Sequence, residues 1–374
     1  MAHWAHKTEV VANAEMVWHQ TEDTKKIIVE LFKMDREGIL VVVISLVVLG
    51  LSLREASVSA AVTLPPVNGK PLVRQYYKKL NTCANAEAFV KYQVKMMWQR
   101  DRSLTAKLLK LLYADCMVNG CDGSILLNSK NSERNAIQNI GLRGYAAIET
   151  IKRVLEIRCP GVVSCSDILV LATRDAVALA GGPSYPVLLG RRDGKESKAS
   201  WIDYPYPSIT WEEGLAYFKS KGLDVQDFVT LMGAHTMGRT HCRYILDRLY
   251  NYKNTNRSDP TMSPSLLKNL TKLCPPKTRK GQHDPLVYLT PEGSPEDYKF
   301  TNTYYSRILQ NQSVLAIDQQ LLYGPDTNEL VNEYAAGFED FKFGIALSMN
   351  RMTSLKVLTG TDQGEIRREC SRTN

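Results

Sequence analysis

Histidine is scarce in this sequence: six among 374 residues, three of them before residue 20. Beyond residue 60 only His235, His241 and His283 remain, so a three-histidine catalytic zinc site would need all three to converge. There is no GxSxG elbow, no HExxH and no Walker loop, which removes the common serine-hydrolase, zinc-protease and nucleotide-binding readings. No two cysteines are spaced Cys-x-x-Cys; the nearest pair is Cys116 and Cys121, a spacing that argues against zinc. No repeat of 20–50 residues is present, which excludes solenoids and propellers. Charged residues at 23% and hydrophobic residues at 44% exclude long disorder and a multi-span membrane protein.

One apolar run stands apart. Residues 38–53 read GILVVVISLVVLGLSL, sixteen residues without a charge, short of the roughly 20 a membrane span needs. Small residues follow at Val58-Ser59-Ala60, so residues 34–60 read as a signal peptide cleaved near Ala60. Met34 gives that leader a normal start, and residues 1–33 read as a gene-model extension or unstructured leader; a signal anchor is the alternative. Residues 61–374 form the remaining domain. Residues 1–60 hold 6 basic and 8 acidic residues, so 41 and 31 remain, a formal +10. No nucleic-acid module accompanies that charge, which suits acidic surfaces or polymers instead. Asn256, Asn269 and Asn311 head Asn-x-Ser/Thr sequons, glycosylation candidates in a secreted chain. All eight cysteines lie between Cys83 and Cys370. In a secreted chain they imply four disulfides, with 105 pairings open.

Periodicity predicts a mainly α protein with few short strands. Helical spacing covers residues 72–112, 144–158, 165–179, 242–250, 263–273, 302–309 and 329–352. Thr210 with Glu213 reads as a helix cap, and Asp224 starts a short helix ahead of His235. Residues 277–299, rich in Pro, Gly and charge, read as an irregular surface loop. Two clusters carry chemistry. His235 sits in LMGAHTMGR, where small neighbours let a large planar group approach; it is either a structural histidine or an axial haem ligand. In DCMVNGCDGS, Asp115, Asp122 and Ser124 with the carbonyls of Val118 and Gly120 form an all-oxygen set suited to calcium, or a polar turn held by Asp side chains.

The segments DCMVNGCDGSILL, RGYAAIETIK, CPGVVSCSDILVLATRDAVALAGGPSYPVLLGRRDG, LMGAHTMGR, RLYN, IDQQLL and LTGTDQGEIRREC together resemble the secretory haem peroxidases of plants, over residues 72–370. The resemblance implies the two-domain α-helical peroxidase fold with haem b between the halves. It implies His235 as the axial iron ligand, with Asp318 accepting its other ring N–H. It implies disulfides Cys83–Cys159, Cys116–Cys121, Cys165–Cys370 and Cys242–Cys274. Asp115, Val118, Gly120, Asp122 and Ser124 match a distal calcium site in full. Glu133 and Asn139 match residues that orient a distal histidine, and Pro205 matches the proline lining donor access. Thr236 matches one proximal calcium ligand, but Thr301 stands where the family has a carboxylate, so a second calcium is not implied.

The distal pattern departs. Where the family has Arg-x-His-Phe-His-Asp-Cys, this chain reads Lys110-Leu111-Leu112-Tyr113-Ala114-Asp115-Cys116. Lys110 replaces the arginine that polarises the O–O bond, and Ala114 the histidine that moves the peroxide proton. The resemblance implies a secreted, monomeric extracellular or cell-wall peroxidase taking hydrogen peroxide and small phenolic donors. Loss of general acid–base catalysis costs about 10²–10⁴-fold, so reduced efficiency is expected. The alternative is a nearly inactive haem-containing binding or structural protein of the cell wall.

Overall fold

The computed structural model describes residues 70–277, 283–290 and 298–374; the extension and signal peptide expected over residues 1–60 lie outside them. Among the described residues no helix is long and apolar enough to cross a membrane. Thirteen α-helices, several short 3-10 turns and two small sheets make up the regular structure there, so the mainly α expectation holds.

The first packing group is built from α1 (Tyr76–Lys79), α2 (Ala86–Arg100), α3 (Leu104–Cys116), α4 (Tyr145–Arg158) and α5 (Cys165–Leu179). Helix α5 is its centre: α2, α3 and α4 all pack against it. Its sequence is apolar on nearly every face, and every residue from Cys165 to Val177 is buried. The Ser164 hydroxyl caps it by accepting from Asp167 N at 3.1 Å, and Gly181, at φ +97°, turns the chain away beyond its end. The second group contains α6 (Trp211–Ser220), α7 (Val225–Met232), α10 (Thr303–Leu309), α12 (Pro325–Ala336) and α13 (Phe338–Met352), with α7 packed on α6, α12 and α13. Both predicted caps are present: Thr210 and Glu213 close a capping box on α6, and Asp224 and Asp227 close one on α7. Shorter helices α8 (Leu246–Tyr250), α9 (Pro264–Leu273) and α11 (Ala316–Gln320) fill the sequence between. Strands β1 (Val73–Arg74) and β2 (Leu188–Leu189) pair antiparallel, as do β3 (Arg239–His241) and β4 (Leu286–Tyr288).

Three sequence expectations need correction. The helical reading of residues 72–112 is wrong at Val73–Arg74, which is strand β1, and over residues 80–85, which separate α1 from α2; it breaks again at residues 101–103, because Asp101 Oδ1 accepts from both the amide and the hydroxyl of Ser103, at 3.0 and 2.5 Å, and a local side-chain turn outcompetes the helix there. The reading of 329–352 as one helix starts too late and misses the break at Gly337, whose extended backbone separates α12 from α13. The region read as irregular loop contains β4, held by its register with β3.

All four disulfides pair as the resemblance implied, with no free cysteine among the described residues. Cys165–Cys370 ties the start of α5 to the C-terminal segment across 205 positions. Beside it Arg191 Nη1 meets Asp167 Oδ1 at 2.8 Å, both side chains fully buried. Asp167 also accepts from the Tyr77 hydroxyl at 2.7 Å and from Gly190 N at 2.7 Å. The Arg191 Nε donates to Thr353 O at 2.9 Å, so one ion pair links α1, α5 and the segment after α13. Removing one partner strands a buried charge, which costs about 3–5 kcal/mol. Arg191→Ala is therefore expected to lower stability by that amount in chemical denaturation; a loss under about 1 kcal/mol would show that the pair is not structural.

Candidate active site

His235 sits on a single 3-10 turn, Gly233–Thr236, continuing directly from α7. Its Nδ1 is 2.8 Å from Asp318 Oδ1 on α11. Asp318 is only 4% exposed in its side chain, and the Tyr304 hydroxyl of α10 donates to the same oxygen at 2.9 Å. Burial and the neighbouring carboxylate push the Tyr304 phenol well above its ordinary value, so it stays a donor. With Nδ1 committed, the free nitrogen of His235 is Nε2, which has no hydrogen-bond partner among the described residues. A ring whose inner nitrogen is anchored to a carboxylate and whose outer nitrogen is unpaired is the donor arrangement of a metal-ligating histidine. These residues fit an axial haem ligand.

The distal side is carried by α3. Lys110 and Ala114 are four residues apart and share a helix face. Lys110 is reached by solvent, yet protein crowds it on enough sides to bring its ammonium down to about 8. It has no hydrogen bond or ion pair among the described residues; its Nζ lies 4.8 Å from the Tyr113 ring centre and 5.5 Å from that of Tyr204. Tyr113 and Tyr204 are tilted neighbours at 5.8 Å. Ala114 is fully buried. Pro205 is half-buried between Tyr204 and Tyr206. Two residues further, Pro207 O accepts from Ile317 N, next to Asp318, at 2.9 Å. One short segment thus touches both α3 and the helix that carries the histidine's partner.

Behind α3 lies the acidic cluster. Asp115 accepts from Gly123 N at 2.9 Å and Ile125 N at 3.3 Å. Asp122 Oδ1 accepts from Ser124 N at 3.0 Å, and the Ser124 hydroxyl reaches Glu133 Oε2 at 3.3 Å. The Cys116–Cys121 bridge pinches this loop. Gly120, at φ +122°, lies so close to Lys356 O that an added Cβ would stand 2.6 Å from it. Burial raises all three carboxyls, and each is raised further by its acidic neighbours in the case of Asp115 and Glu133, Glu133 to about 8. Glu133 Oε1 is buried without a hydrogen-bond partner. Oxygen donors, buried negative charge and an orphaned oxygen fit a hard cation. Among the described residues no three His, Cys, Asp or Glu side chains converge as a metal cluster, so the fit depends on hydroxyl and carbonyl oxygens. On the proximal side Thr236 Oγ1 meets Thr301 Oγ1 at 3.2 Å, which meets Thr303 Oγ1 at 2.7 Å. Hydroxyls there meet one another, and among the described residues no carboxylate joins them.

A family model described as peroxidase matches residues 90–337. The chain belongs to the plant peroxidase family. It is 58% identical over 332 residues to probable peroxidase 61 of Arabidopsis thaliana, covering 88% of this chain and 96% of that one. It is 54% identical over 329 residues to probable peroxidase 26 of the same plant, covering 88% and 97%, and 42% identical over 318 residues to its peroxidase 25, covering 82% and 93%.

Measured against that family pattern, the structure brings His235 with Asp318, Asp115 with Asp122, Ser124 and Glu133, and Lys110 with Ala114. His241 is elsewhere, its Nδ1 3.2 Å from Asp284 O. Sequence reasoning missed Tyr304 and Tyr204. Tyr304 follows the Phe-Thr-Asn segment and Tyr204 precedes Pro205, but nothing in spacing marks either as facing the site. The cluster generates a pH signature. Glu133, raised from 4.5 to about 8 in the metal-free fold, binds its proton more tightly folded than unfolded. Its contribution to stability is present below about pH 4.5 and is lost as pH rises toward 8. With chelator, the melting temperature is expected to fall across that window, and calcium should remove the fall. A calcium-insensitive melting profile would exclude a cation at this cluster.

Proposed function

We propose that this chain is a secreted haem- and calcium-dependent peroxidase-family protein whose peroxide-cleaving step is slowed by its distal residues. The observation that carries this reading is the contrast between an intact His235–Asp318–Tyr304 arrangement and a distal helix face bearing Lys110 and Ala114. When bound, haem supplies the redox chemistry by which hydrogen peroxide oxidises small phenolic donors. His235 offers Nε2 to it, and the hydrogen bond from Nδ1–H to Asp318 makes the imidazole a stronger ligand.

On the distal face, Ala114 can neither accept a proton from peroxide nor return one. Tyr113 cannot replace it, because burial pushes its phenol up. Lys110 supplies a positive charge, but as a single point without the planar donor fork of arginine. Asp115, Val118, Gly120, Asp122 and Ser124 are assigned to one calcium, with Glu133 and Asn139 behind the pocket and Pro205 at the donor entrance. Thr236, whose hydroxyl meets that of Thr301, is the one residue matched to a proximal calcium, so no second calcium is assigned. Secretion to the extracellular space or cell wall is supported by four disulfides and by exposure of Asn256, Asn269 and Asn311. The net positive charge suits contact with acidic wall polymers.

The test is stopped-flow absorbance of the haem-loaded protein mixed with hydrogen peroxide. The bimolecular rate of the Soret change is expected to be about 10²–10⁴-fold below that of a relative carrying both distal residues; an equal rate would overturn the slowed step. His235→Ala should abolish the Soret band. Because Lys110 loses its charge above about pH 8, the remaining rate should decline there, and Lys110→Arg should hold it to higher pH.

A further inference from the structure

Asn139 matches a residue that orients a distal histidine, and this chain has no histidine for it. The structure does not leave it idle. Asn139 is buried; its Nδ2 donates to Glu133 O at 2.9 Å, and its Oδ1 accepts from the Tyr204 hydroxyl at 3.1 Å. The same hydroxyl lies 3.4 Å from the Ala114 carbonyl. A phenol has one proton, so the shorter, better contact to Asn139 is its main bond and the Ala114 carbonyl a weaker second acceptor. The ring lies against α3: Tyr113 packs on it at 5.8 Å, and Lys110 Nζ stands 5.5 Å from its centre. Its backbone is held three residues on, where Pro207 O accepts from Ile317 N. Tyr204 thus meets the backbone of residue 114, and Ala114 itself is completely buried.

We propose that Tyr204 is a positioning residue of the distal pocket: its hydroxyl takes the Asn139 hydrogen bond that a histidine at position 114 would require, and so fixes this pocket as a Lys110–Tyr204 site. The inference rests on the peroxidase reading above. It has a consequence that the loss of histidine alone lacks. An imidazole at 114 would either displace the Tyr204 hydroxyl or stand with its tautomer unset, because the other ring nitrogen determines which nitrogen carries the proton. Restoring the histidine is then insufficient unless Tyr204 also changes. The substitutions at 114 and 204 are coupled through one acceptor oxygen.

The experiment is a double-mutant cycle with Ala114→His and Tyr204→Phe in the full chain. Two readouts are taken: the rate and pH profile of the peroxide-driven Soret change in the haem-loaded proteins, and the melting temperature of each protein as purified. A114H alone is expected to gain less than about tenfold. A114H with Y204F should gain at least about 10²-fold over the parent, the lower end of what a positioned acid–base group supplies. Its profile should show a new ionisation near about 6.5, the ordinary histidine value. Y204F should lower the melting temperature more in the parent than in A114H, where imidazole takes over the vacated acceptor. Equal gains in A114H and the double variant, or additive melting temperatures, would overturn the proposal. If A114H does not fold, an Asn139→Leu and Tyr204→Phe cycle replaces it, and additive losses there would overturn the bond itself. A parent that shows no Soret band would refute the haem reading while the melting-temperature cycle still decides the role of Tyr204.

Discussion

A buried carboxylate has to find its hydrogen bonds within the protein, and for Asp318 that requirement organises the proximal half. One of its oxygens is reached by His235 from the end of α7 and by Tyr304 from α10. The helix that carries it is fastened to the 204–207 segment through Ile317 N and Pro207 O. Three separate stretches of chain must therefore be in register before the imidazole is aimed. The histidine does not need a rigid loop of its own, because its orientation is set by the acceptor. That explains how a side chain on a single 3-10 turn, 29% exposed, can still present one defined nitrogen outward.

The distal half is built by a different logic. Its framework is electrostatic: Asp115 on α3 and the neighbouring Asp122 and Glu133 are each pushed up by burial. The chemistry would lie in front of α3, at Lys110 and Ala114. Asp115 follows Ala114 immediately in sequence, yet a step of one residue on a helix turns the side chain by about 100°. The cation framework and the reacting face can thus change independently. Replacing the front residues leaves the disulfide at Cys116, the Asp115 hydrogen bonds and the packing of α3 on α5 in place.

Much of this was legible in the sequence. The caps at Thr210 and Asp224, the bounds of α4 and α5, and the Cys116–Cys121 pinch all depend on neighbours within a few residues, so the local pattern carries them. The breaks at Asp101 and Gly337 were missed because apolar spacing continues across both, and only a side-chain turn or an extended glycine interrupts it. Strand β4 was missed because its partner β3 lies over forty positions away and its own segment is short. The pairing of His235 with Asp318 came from family resemblance, since a separation of 83 positions leaves no trace in periodicity. Tyr304 and Tyr204 have the same difficulty without a motif to reveal them: each is one of 18 tyrosines, and its role exists only where distant elements meet.

Tyr204 shows why a lost catalytic side chain is a poor guide to the pocket that remains. Deleting an imidazole in place would leave Asn139 Oδ1 buried and unsatisfied, a cost of about 1–3 kcal/mol. The observed arrangement avoids that cost by supplying a phenolic hydroxyl from a different part of the chain. The same move brings an aromatic ring next to Lys110, where a cation with no carboxylate partner among the described residues gains from a π face. The two distal replacements and Tyr204 therefore form one self-consistent set: a point charge, an alanine that makes no demand on Asn139, and a tyrosine that meets the demand instead. Reversal toward an acid–base pocket has to undo all three contacts, so the barrier to recovering that chemistry lies in the packing around Asn139 as much as in the missing histidine.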